Sequence, residues 1–376
     1  MSEAIVVGGG IVGSSVAYHL ARAGVETLLV DRRDEGRATD AGAGVVSPPT
    51  SSHTDSDAWF RLASAALDYY PDLAARLAAE QDGPVGFGQP GLLAVAPPGR
   101  EAAFETALSR TRDRQAATGH PAPGSVTEVP PDEAVDLFPP LAPPARAFRY
   151  RDAGRVDGRA FAAALRRAGE RHGLETLDAT VESVRVADGA VAGVVADGVA
   201  RDAGRVVVAG GAWSPALGAD LGVEVPVAPH RGQICHLDAG ADASDWPMVT
   251  VFGGEYFVPW PDGAVAAGAT REPDAGFDPR VTAGGVHEVL DETLGVAPGL
   301  ADATLDDVMV GLRPASADDL PVLGSVPGVD GAYLATGHGA TGLTLGPYSG
   351  KLVAQAVRGE SPERDTGPFG VERFEG

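Results

Sequence analysis

The chain has 376 residues, enough to bury large cores and fold as two or three domains without disulfide or metal support. Its formal net charge of -23 at pH 7 argues against nucleic acid or an anionic membrane surface as a partner, because both would repel it. Cys235 is the single cysteine, which excludes an internal disulfide and any cysteine-based metal cage. We therefore expect a cytoplasmic protein with no metal site.

The first predicted elements form a nucleotide-binding unit. Apolar residues 4–7 predict a short buried strand, which leaves too little preceding chain for a signal peptide or membrane anchor. Gly8, Gly10 and Gly13 then give the spacing G-x-G-x-x-G where a helix should begin. The first glycine permits a tight turn, the second lets a pyrophosphate approach the backbone, and the third lets helix and strand pack closely.

The end of this unit carries an acidic residue. The helix should stop at Gly24, and a second strand at 27–30 leads to Asp31. A carboxylate at that position accepts hydrogen bonds from ribose hydroxyls, while the helix N-terminus attracts phosphates. The unit predicts a bound dinucleotide, although the glycines alone do not separate FAD from NAD.

A loop and two helices are predicted next. Small residues at 31–48 leave backbone amides uncovered, so we expect this loop to wrap the cofactor, with Thr39 offering a hydroxyl. Apolar residues at 59–70 have helical spacing and predict a core helix. Pro71 is expected to open a further helix.

From residue 83 the pattern changes and indicates a second domain. A strand at 91–96, a polar helix at 100–117 and many prolines fill the stretch to 150. The first pattern resumes at Asp157, a good N-cap for a helix over 158–172.

The two patterns interleave along the rest of the chain. RVVVAGGAWSP at 205–215 repeats the strand-into-glycines signature, and GHGATGLTLGP at 337–347 joins a last strand to a last helix. Other strands are predicted at 179–186, 191–196, 227–237, 255–259, 265–270 and 333–336, and other helices at 285–294 and 351–357. We expect two discontinuous domains, one from 1–82, 151–224 and 316–376 and one from 83–150 and 225–315.

Five blocks in this order resemble the FAD-dependent D-amino acid oxidase superfamily, in particular its glycine oxidase, sarcosine oxidase and D-amino acid dehydrogenase group. They are VVGGGIVGSSVAYHLARAG with Asp31, VVVAGGAWSP, PHRGQICHL, GLRPASADDLPVLG and ATGHGATGLTLGP. The resemblance implies an α/β fold with a doubly wound, glutathione-reductase-like FAD-binding domain and an α+β substrate domain built on a mainly antiparallel sheet. It favours FAD over NAD. Because covalent sarcosine oxidases carry a cysteine near 311–319 and this chain has none there, the FAD should be noncovalent.

The motifs and the resemblance together assign the cofactor contacts. The tail amides at 339–344 would stabilise negative charge on the reduced flavin, unless this is an ordinary strand-to-helix turn. The expected FAD-binding residues are Gly8, Gly10, Ile11, Val12, Gly13, Asp31, Arg32, Thr39, Ala43, Gly44, Val181, Gly210, Trp213, Arg313, Gly339, Ala340, Thr341, Gly342, Leu343 and Thr344.

The resemblance also assigns two catalytic residues. Arg313 occupies the arginine of G-L-R-P, which pairs with the substrate carboxylate in related oxidases; the alternative is a surface arginine in a salt bridge. Tyr256 matches a tyrosine that adds a second bond to that carboxylate; the alternative is a packed core aromatic. His338 is expected to brace its loop, and Lys351, the sole lysine, has no assigned role with oxygen.

The implied reaction is oxidation of a small amino acid or secondary amine to an imine, which water hydrolyses to an oxo acid and an amine. Oxygen is the expected acceptor, with hydrogen peroxide as product. Glycine, sarcosine, a longer N-carboxymethyl amine and a D-amino acid all satisfy one arginine and one flavin. A D-amino acid dehydrogenase with another acceptor, a flavin-carrying subunit of a larger complex and an NAD-dependent dehydrogenase are the other hypotheses.

Overall fold

The computed structural model describes residues 2–53, 56–252 and 254–374. The strands are β1 (Ala4–Val7), β2 (Thr27–Asp31), β3 (Val45–Val46), β4 (Phe87–Gly88), β5 (Leu92–Ala96), β6 (Val126–Val129), β7 (Arg146–Tyr150), β8 (Gly154–Val156), β9 (Glu175–Asp178), β10 (Val181–Ala187), β11 (Ala190–Ala196), β12 (Val199–Asp202), β13 (Arg205–Val208), β14 (Val227–Asp238), β15 (Met248–Val251), β16 (Tyr256–Pro259), β17 (Ala264–Gly268), β18 (Thr304–Ser316), β19 (Val322–Ser325) and β20 (Ala332–Thr336). The α-helices are α1 (Ile11–Arg22), α2 (Ala38–Ala41), α3 (Asp57–Glu80), α4 (Glu101–Thr118), α5 (Pro131–Leu137), α6 (Gly158–Arg171), α7 (Ala283–Val296) and α8 (Gly342–Val357). Short 3-10 turns connect several of them.

A six-stranded sheet in the order β19-β20-β13-β1-β2-β9 forms the first layer. Its strands are parallel except for the β19–β20 pair. Because side chains alternate along a strand, Ala4 and Val6 of β1 join the core under α1 and α8, whereas Ile5 and Val7 join the core on the opposite face. Both faces are buried, which explains why β1 is apolar at every position.

The opposite face of this sheet is covered by a three-stranded antiparallel sheet, β10-β11-β12. The parallel βα unit and the sheet that it joins confirm the predicted α/β class. Strand β9 was not predicted, because its sequence ETLD is largely exposed and lacks the apolar pattern of the central strands.

The second layer is an eight-stranded sheet in the order β18-β14-β17-β16-β15-β5-β7-β6. Every neighbouring pair is antiparallel except β15–β5, as predicted for a mainly antiparallel sheet. Phe138 stacks on Phe257 at 5.8 Å in the core between this sheet and α7. Its strands come from 83–150 and 225–315, apart from the last residue of β18, and the exact domain boundaries stay a prediction.

One expectation is wrong: Pro71 does not open a new helix. Helix α3 runs unbroken from Asp57 to Glu80 with Pro71 inside it. Proline removes one backbone hydrogen bond, but Tyr70 and Leu73 on either side are buried in the same core, so packing holds both halves on one axis. Within the described ranges, no helix is both long and apolar enough to cross a membrane.

Candidate active site

A cavity of about 1020 Å³ lies between the two large sheets. It is lined by the segments that follow β1, β2 and β13 on one side and by residues of β14, β16 and β18 on the other. Ligands of doubly wound folds bind at this carboxyl end of the parallel strands. The volume is at the upper end of the roughly 300–1,000 Å³ typical of ligand sites, as a dinucleotide cofactor requires.

The first glycines build the cavity through their lack of a side chain. Gly8 has a φ of +103°, and a Cβ there would lie 2.5 Å from the carbonyl oxygen of Ala209. A Cβ on Gly13 would lie 1.9 Å from the oxygen of Gly8, so this residue allows α1 to pack against the loop. Gly10, Ile11 and Val12 line the cavity, whereas Gly13 does not.

The end of β2 places a carboxylate at the cavity. Asp31 lines it and its Oδ2 accepts a 2.6 Å hydrogen bond from Nη1 of Arg37. Arg37 also binds Asp40, so it ties the end of β2 to the small helix α2. Sequence reasoning missed Arg37, because the arginine-rich loop offered no local signal to separate it from Arg32.

A second missed arginine supports the glycine loop from behind. Arg166 of α6 donates to the carbonyl oxygen of Gly9 at 2.8 Å and to Oγ of Ser14 at 3.1 Å. Burial lowers the pKa of Arg166. It fixes the carbonyl of Gly9, a residue that lines the cavity.

The loop after β2 contacts α1 through Thr39. Its Oγ1 accepts a hydrogen bond from the backbone N–H of Ile11 at 3.0 Å, so the hydroxyl already serves the first turn of α1. Ala43 lines the cavity. Gly44 does not: it has a φ of +91°, and a Cβ there would lie 2.0 Å from the oxygen of Val156, so its role is packing.

Residues after β13 and at the start of β10 form a further part of the cavity wall. Gly210, Trp213 and Val181 all line it. The guanidinium of Arg32, another lining residue, lies 5.7 Å from the centre of the Trp213 ring.

The glycine-rich tail also faces the cavity. All six residues at 339–344 line it, and the last three form the first turn of α8, a 16-residue helix. The hydroxyl of Tyr70 donates to the carbonyl oxygen of Leu343, and Oγ1 of Thr344 donates to the oxygen of Val45 at 3.2 Å. The positive end of the α8 dipole therefore points at the cavity from a fixed position.

Arg313 and Tyr256 lie together on the other wall. Nη1 of Arg313 donates to the carbonyl oxygen of Thr270 at 3.1 Å, and Tyr256 lines the same cavity close to the guanidinium. Burial lowers the pKa of Arg313 and raises that of Tyr256. Phe257 points to the opposite face and is fully buried, so Tyr256 is the residue of this pair that faces the cavity.

The structure shows why the Arg313 side chain fits. A Cβ on Gly232 would lie 2.3 Å from both terminal nitrogens of Arg313, so the guanidinium lies against a position that only glycine leaves open. Gly232 stands in β14 opposite Gly311 in β18, and both line the cavity. Sequence reasoning noted the PHRGQICHL block without finding this role.

A buried polar network holds the backbone on which Arg313 rests. Glu272 accepts hydrogen bonds from Arg231 at 2.6 Å, from Gln233 at 2.8 Å and from Oγ1 of Thr270 at 2.7 Å. Arg231 is almost fully buried. Because Thr270 supplies the carbonyl that receives Arg313, this network fixes the direction of the guanidinium.

His338 and Lys351 were also considered from the sequence, and only His338 lies at the cavity. His338 lines the cavity and is 2% exposed, and burial lowers its pKa to about 4. Its carbonyl oxygen braces the loop by accepting from the N–H of Thr341 at 2.9 Å, whereas its Nε2 has no partner among the described residues. Lys351 lies outside this cavity, 2.7 Å from Oε1 of Glu363 and against the Tyr69 ring.

Comparison with known proteins agrees with this geometry. A family model described as FAD dependent oxidoreductase matches residues 3–356. The chain is 38% identical to the uncharacterized oxidoreductase YurR of Bacillus subtilis and 33% identical to a glycine oxidase of Pseudomonas aeruginosa, with 98% of each chain covered in both cases. Iminodiacetate oxidase from Chelativorans sp. BNC1 superposes with a TM-score of 0.93 at 38% identity, covering 98% of both chains. Glycine oxidase from Geobacillus kaustophilus has a TM-score of 0.90 at 29% identity, covering 100% of this chain and 99% of the other.

The parallel sheet, the glycine loop at the start of α1 and the cavity between the sheets define a dinucleotide-binding fold, and the family match makes the protein an FAD-dependent oxidoreductase. The chain belongs to the DAO family of FAD-dependent oxidoreductases.

Proposed function

We propose that the protein oxidises the C–N bond of glycine or of an N-substituted glycine, such as an N-carboxymethyl amine. The observation that carries this proposal is Arg313, a partly buried guanidinium in the cavity with no carboxylate within 4.0 Å among the described residues. Burying an unpaired cation is costly, so the position favours an anionic ligand. Names of similar proteins, glycine oxidase and iminodiacetate oxidase, support the same substrate class.

The chain's own residues would bind and orient the substrate. Arg313 offers two parallel N–H donors to the carboxylate and Tyr256 offers a hydroxyl, which places the neighbouring carbon in one orientation. The lining residues named above would hold FAD noncovalently, since Cys235 is buried outside this cavity. His338 would be neutral near pH 7 and is assigned no proton transfer.

Bound FAD supplies the two-electron acceptor. The substrate carbon loses a hydride and the nitrogen a proton as the C=N bond forms, and water then adds to that carbon and the C–N bond breaks. The products are glyoxylate and an amine. Dioxygen, the proposed final acceptor, takes two electrons and two protons and becomes hydrogen peroxide. A cytoplasmic location is part of the proposal, supported by the single cysteine.

The test is anaerobic reduction of the purified flavoprotein by a panel of amines. We expect glycine or an N-substituted glycine to bleach the visible flavin band, and admission of air to restore it with one peroxide and one glyoxylate per turnover. Faster bleaching by D-alanine would instead favour a D-amino acid enzyme. Bleaching without reoxidation by air would indicate another acceptor, and no bleaching by any amine would refute the proposal.

Replacing Arg313 tests the assignment of the carboxylate site. Two charge-assisted hydrogen bonds are worth roughly 1.5–3 kcal/mol each, so Arg313→Ala should raise KM at least about 100-fold while the flavin spectrum persists. Arg313→Lys should recover little of this loss, because lysine lacks the planar pair of donors. Arg201→Ala, at an exposed position on β12, is the matched control. Equal KM values for Arg313→Ala and this control would contradict the assignment.

A further inference from the structure

A second arginine without a carboxylate partner lines the same cavity as Arg313. Arg271 lies three residues beyond the end of β17. Ala269 and Arg271 line the cavity, whereas Thr270 between them is fully buried and faces the polar network behind it. Nη1 of Arg313 donates at 3.1 Å to the carbonyl oxygen of Thr270, the residue directly before Arg271, and the charge of Arg271 adds to the burial that lowers the pKa of Arg313. Two guanidinium groups therefore share one part of the cavity with the tyrosine hydroxyl.

The adjacent acidic residue does not neutralise this pair of cations. Glu272 turns away from the cavity and is engaged by Arg231, Gln233 and Thr270. Across 2–53, 56–252 and 254–374, no Asp or Glu oxygen lies within 4.0 Å of the guanidinium of Arg271.

Glu255 is the other acidic residue that could neutralise Arg271. It lines the cavity beside Tyr256, and it lies close enough to Glu292 of α7 to raise the pKa of that residue to about 7. Within the described ranges, Glu255 forms no ion pair with Arg271 at the 4.0 Å limit. Like charges that share one part of a cavity repel each other, so negative charge from a ligand would stabilise this arrangement.

We infer that Arg271 binds a second acidic group of the substrate, so that the preferred substrates are secondary amines carrying one carboxylate on each side of the nitrogen. This inference rests on the proposed function. One carboxylate would pair with Arg313 and Tyr256, and the other, on the N-substituent, with Arg271. A substrate with a single carboxylate leaves one of the two cations unpaired. An acidic protein also gains from this arrangement, because a local pair of arginines attracts an anion that the net charge of -23 repels.

Binding of unreactive analogues tests this without turnover. Methoxyacetate has one carboxylate and oxydiacetate has two, and in both an ether oxygen replaces the amine nitrogen. In the flavin-loaded wild-type protein, we expect difference spectra to show oxydiacetate binding roughly 10- to 100-fold more tightly than methoxyacetate, the value of one added charge-assisted contact. Raising the salt concentration should reduce this ratio if Arg271, which is exposed towards solvent, makes the contact.

Three variants test whether the preference for oxydiacetate depends on Arg271. Arg271→Gln should lower the preference for oxydiacetate to within about threefold and leave methoxyacetate binding nearly unchanged, and Arg271→Lys should retain part of the preference. Arg201→Gln removes the same charge from exposed strand β12 and should change neither constant. An unchanged melting temperature and flavin spectrum would show that each variant is folded.

The failures of the two proposals are distinguishable. If wild-type protein binds both analogues equally, or if Arg271→Gln weakens both by the same factor, the second carboxylate site is wrong, while reduction by glycine or N-methylglycine still supports the proposed function. If no amine reduces the flavin, the proposed function itself fails. Selective reduction by iminodiacetate in the wild type, lost in Arg271→Gln but not in Arg201→Gln, would support both.

Discussion

Adding one methyl group at Gly232 should disable carboxylate binding while leaving the fold intact. In Gly232→Ala the new Cβ would lie 2.3 Å from both Nη1 and Nη2 of Arg313, whereas ordinary contacts begin at 3.4 Å. The nearest atoms are the far end of a flexible side chain, so the guanidinium moves by about 1 Å and the backbone stays. A displacement of that size breaks a paired hydrogen-bond geometry and costs about 100-fold in a well-oriented reaction.

We therefore expect Gly232→Ala to raise the dissociation constant of a carboxylate analogue roughly 30- to 100-fold, with unfolding free energy changed by less than about 1 kcal/mol. Titration followed by flavin difference spectra measures the first quantity and thermal unfolding the second. Gly284→Ala in α7 is the matched control, because a Cβ there meets nothing within 4 Å. Unchanged analogue binding in Gly232→Ala, with flavin bound, would refute the placement of Arg313 as the carboxylate ligand.

Three further predictions concern the loop, the glycine turn and the polar network. Burial lowers the pKa of His338 from its usual 6.5 to about 4, so the unfolded chain binds more protons between these values and stability should fall on acidification. In that window His338→Gln should lose less unfolding free energy than wild type, by up to about 3 kcal/mol, and identical pH curves would contradict this. Gly13→Ala should lower both flavin content and melting temperature, because its Cβ would lie 1.9 Å from the oxygen of Gly8. Glu272→Gln removes the charge that pairs with Arg231, so KM should rise more than kcat falls in steady-state assays, and a pure loss of kcat would argue against a positioning role.

Local sequence signals were sufficient to predict those features that depend only on residues close together in the chain. The spacing of Gly8, Gly10 and Gly13 predicts the turn and the helix start because these roles are set within six residues. Asp157 likewise acts as the predicted N-cap, accepting from the N–H of Ala160 at 3.0 Å.

Residues that act across the fold were not found from sequence. Arg166 reaches the glycine loop from α6, and Arg271 reaches the cavity beside Arg313, from positions with no motif around them. Gly232 is identified only when β14 and β18 are paired, since its partner lies about eighty residues further along the chain. Pro71 was misread because helix-breaking propensity is local, whereas the packing that overrides it is not.

The single parallel pair in the eight-stranded sheet bears on how the protein is made. Leu92 of β5 pairs with Met248 of β15. Strand β5 therefore lacks its neighbour β15 until the ribosome has synthesised more than half of the chain. Meanwhile the sequence LLAVA of β5, fully buried in the finished protein, has an unpaired edge on a nascent chain. A lower expression level should therefore increase the yield of active flavoprotein, because fewer nascent chains are then present to associate through β5 before β15 is made.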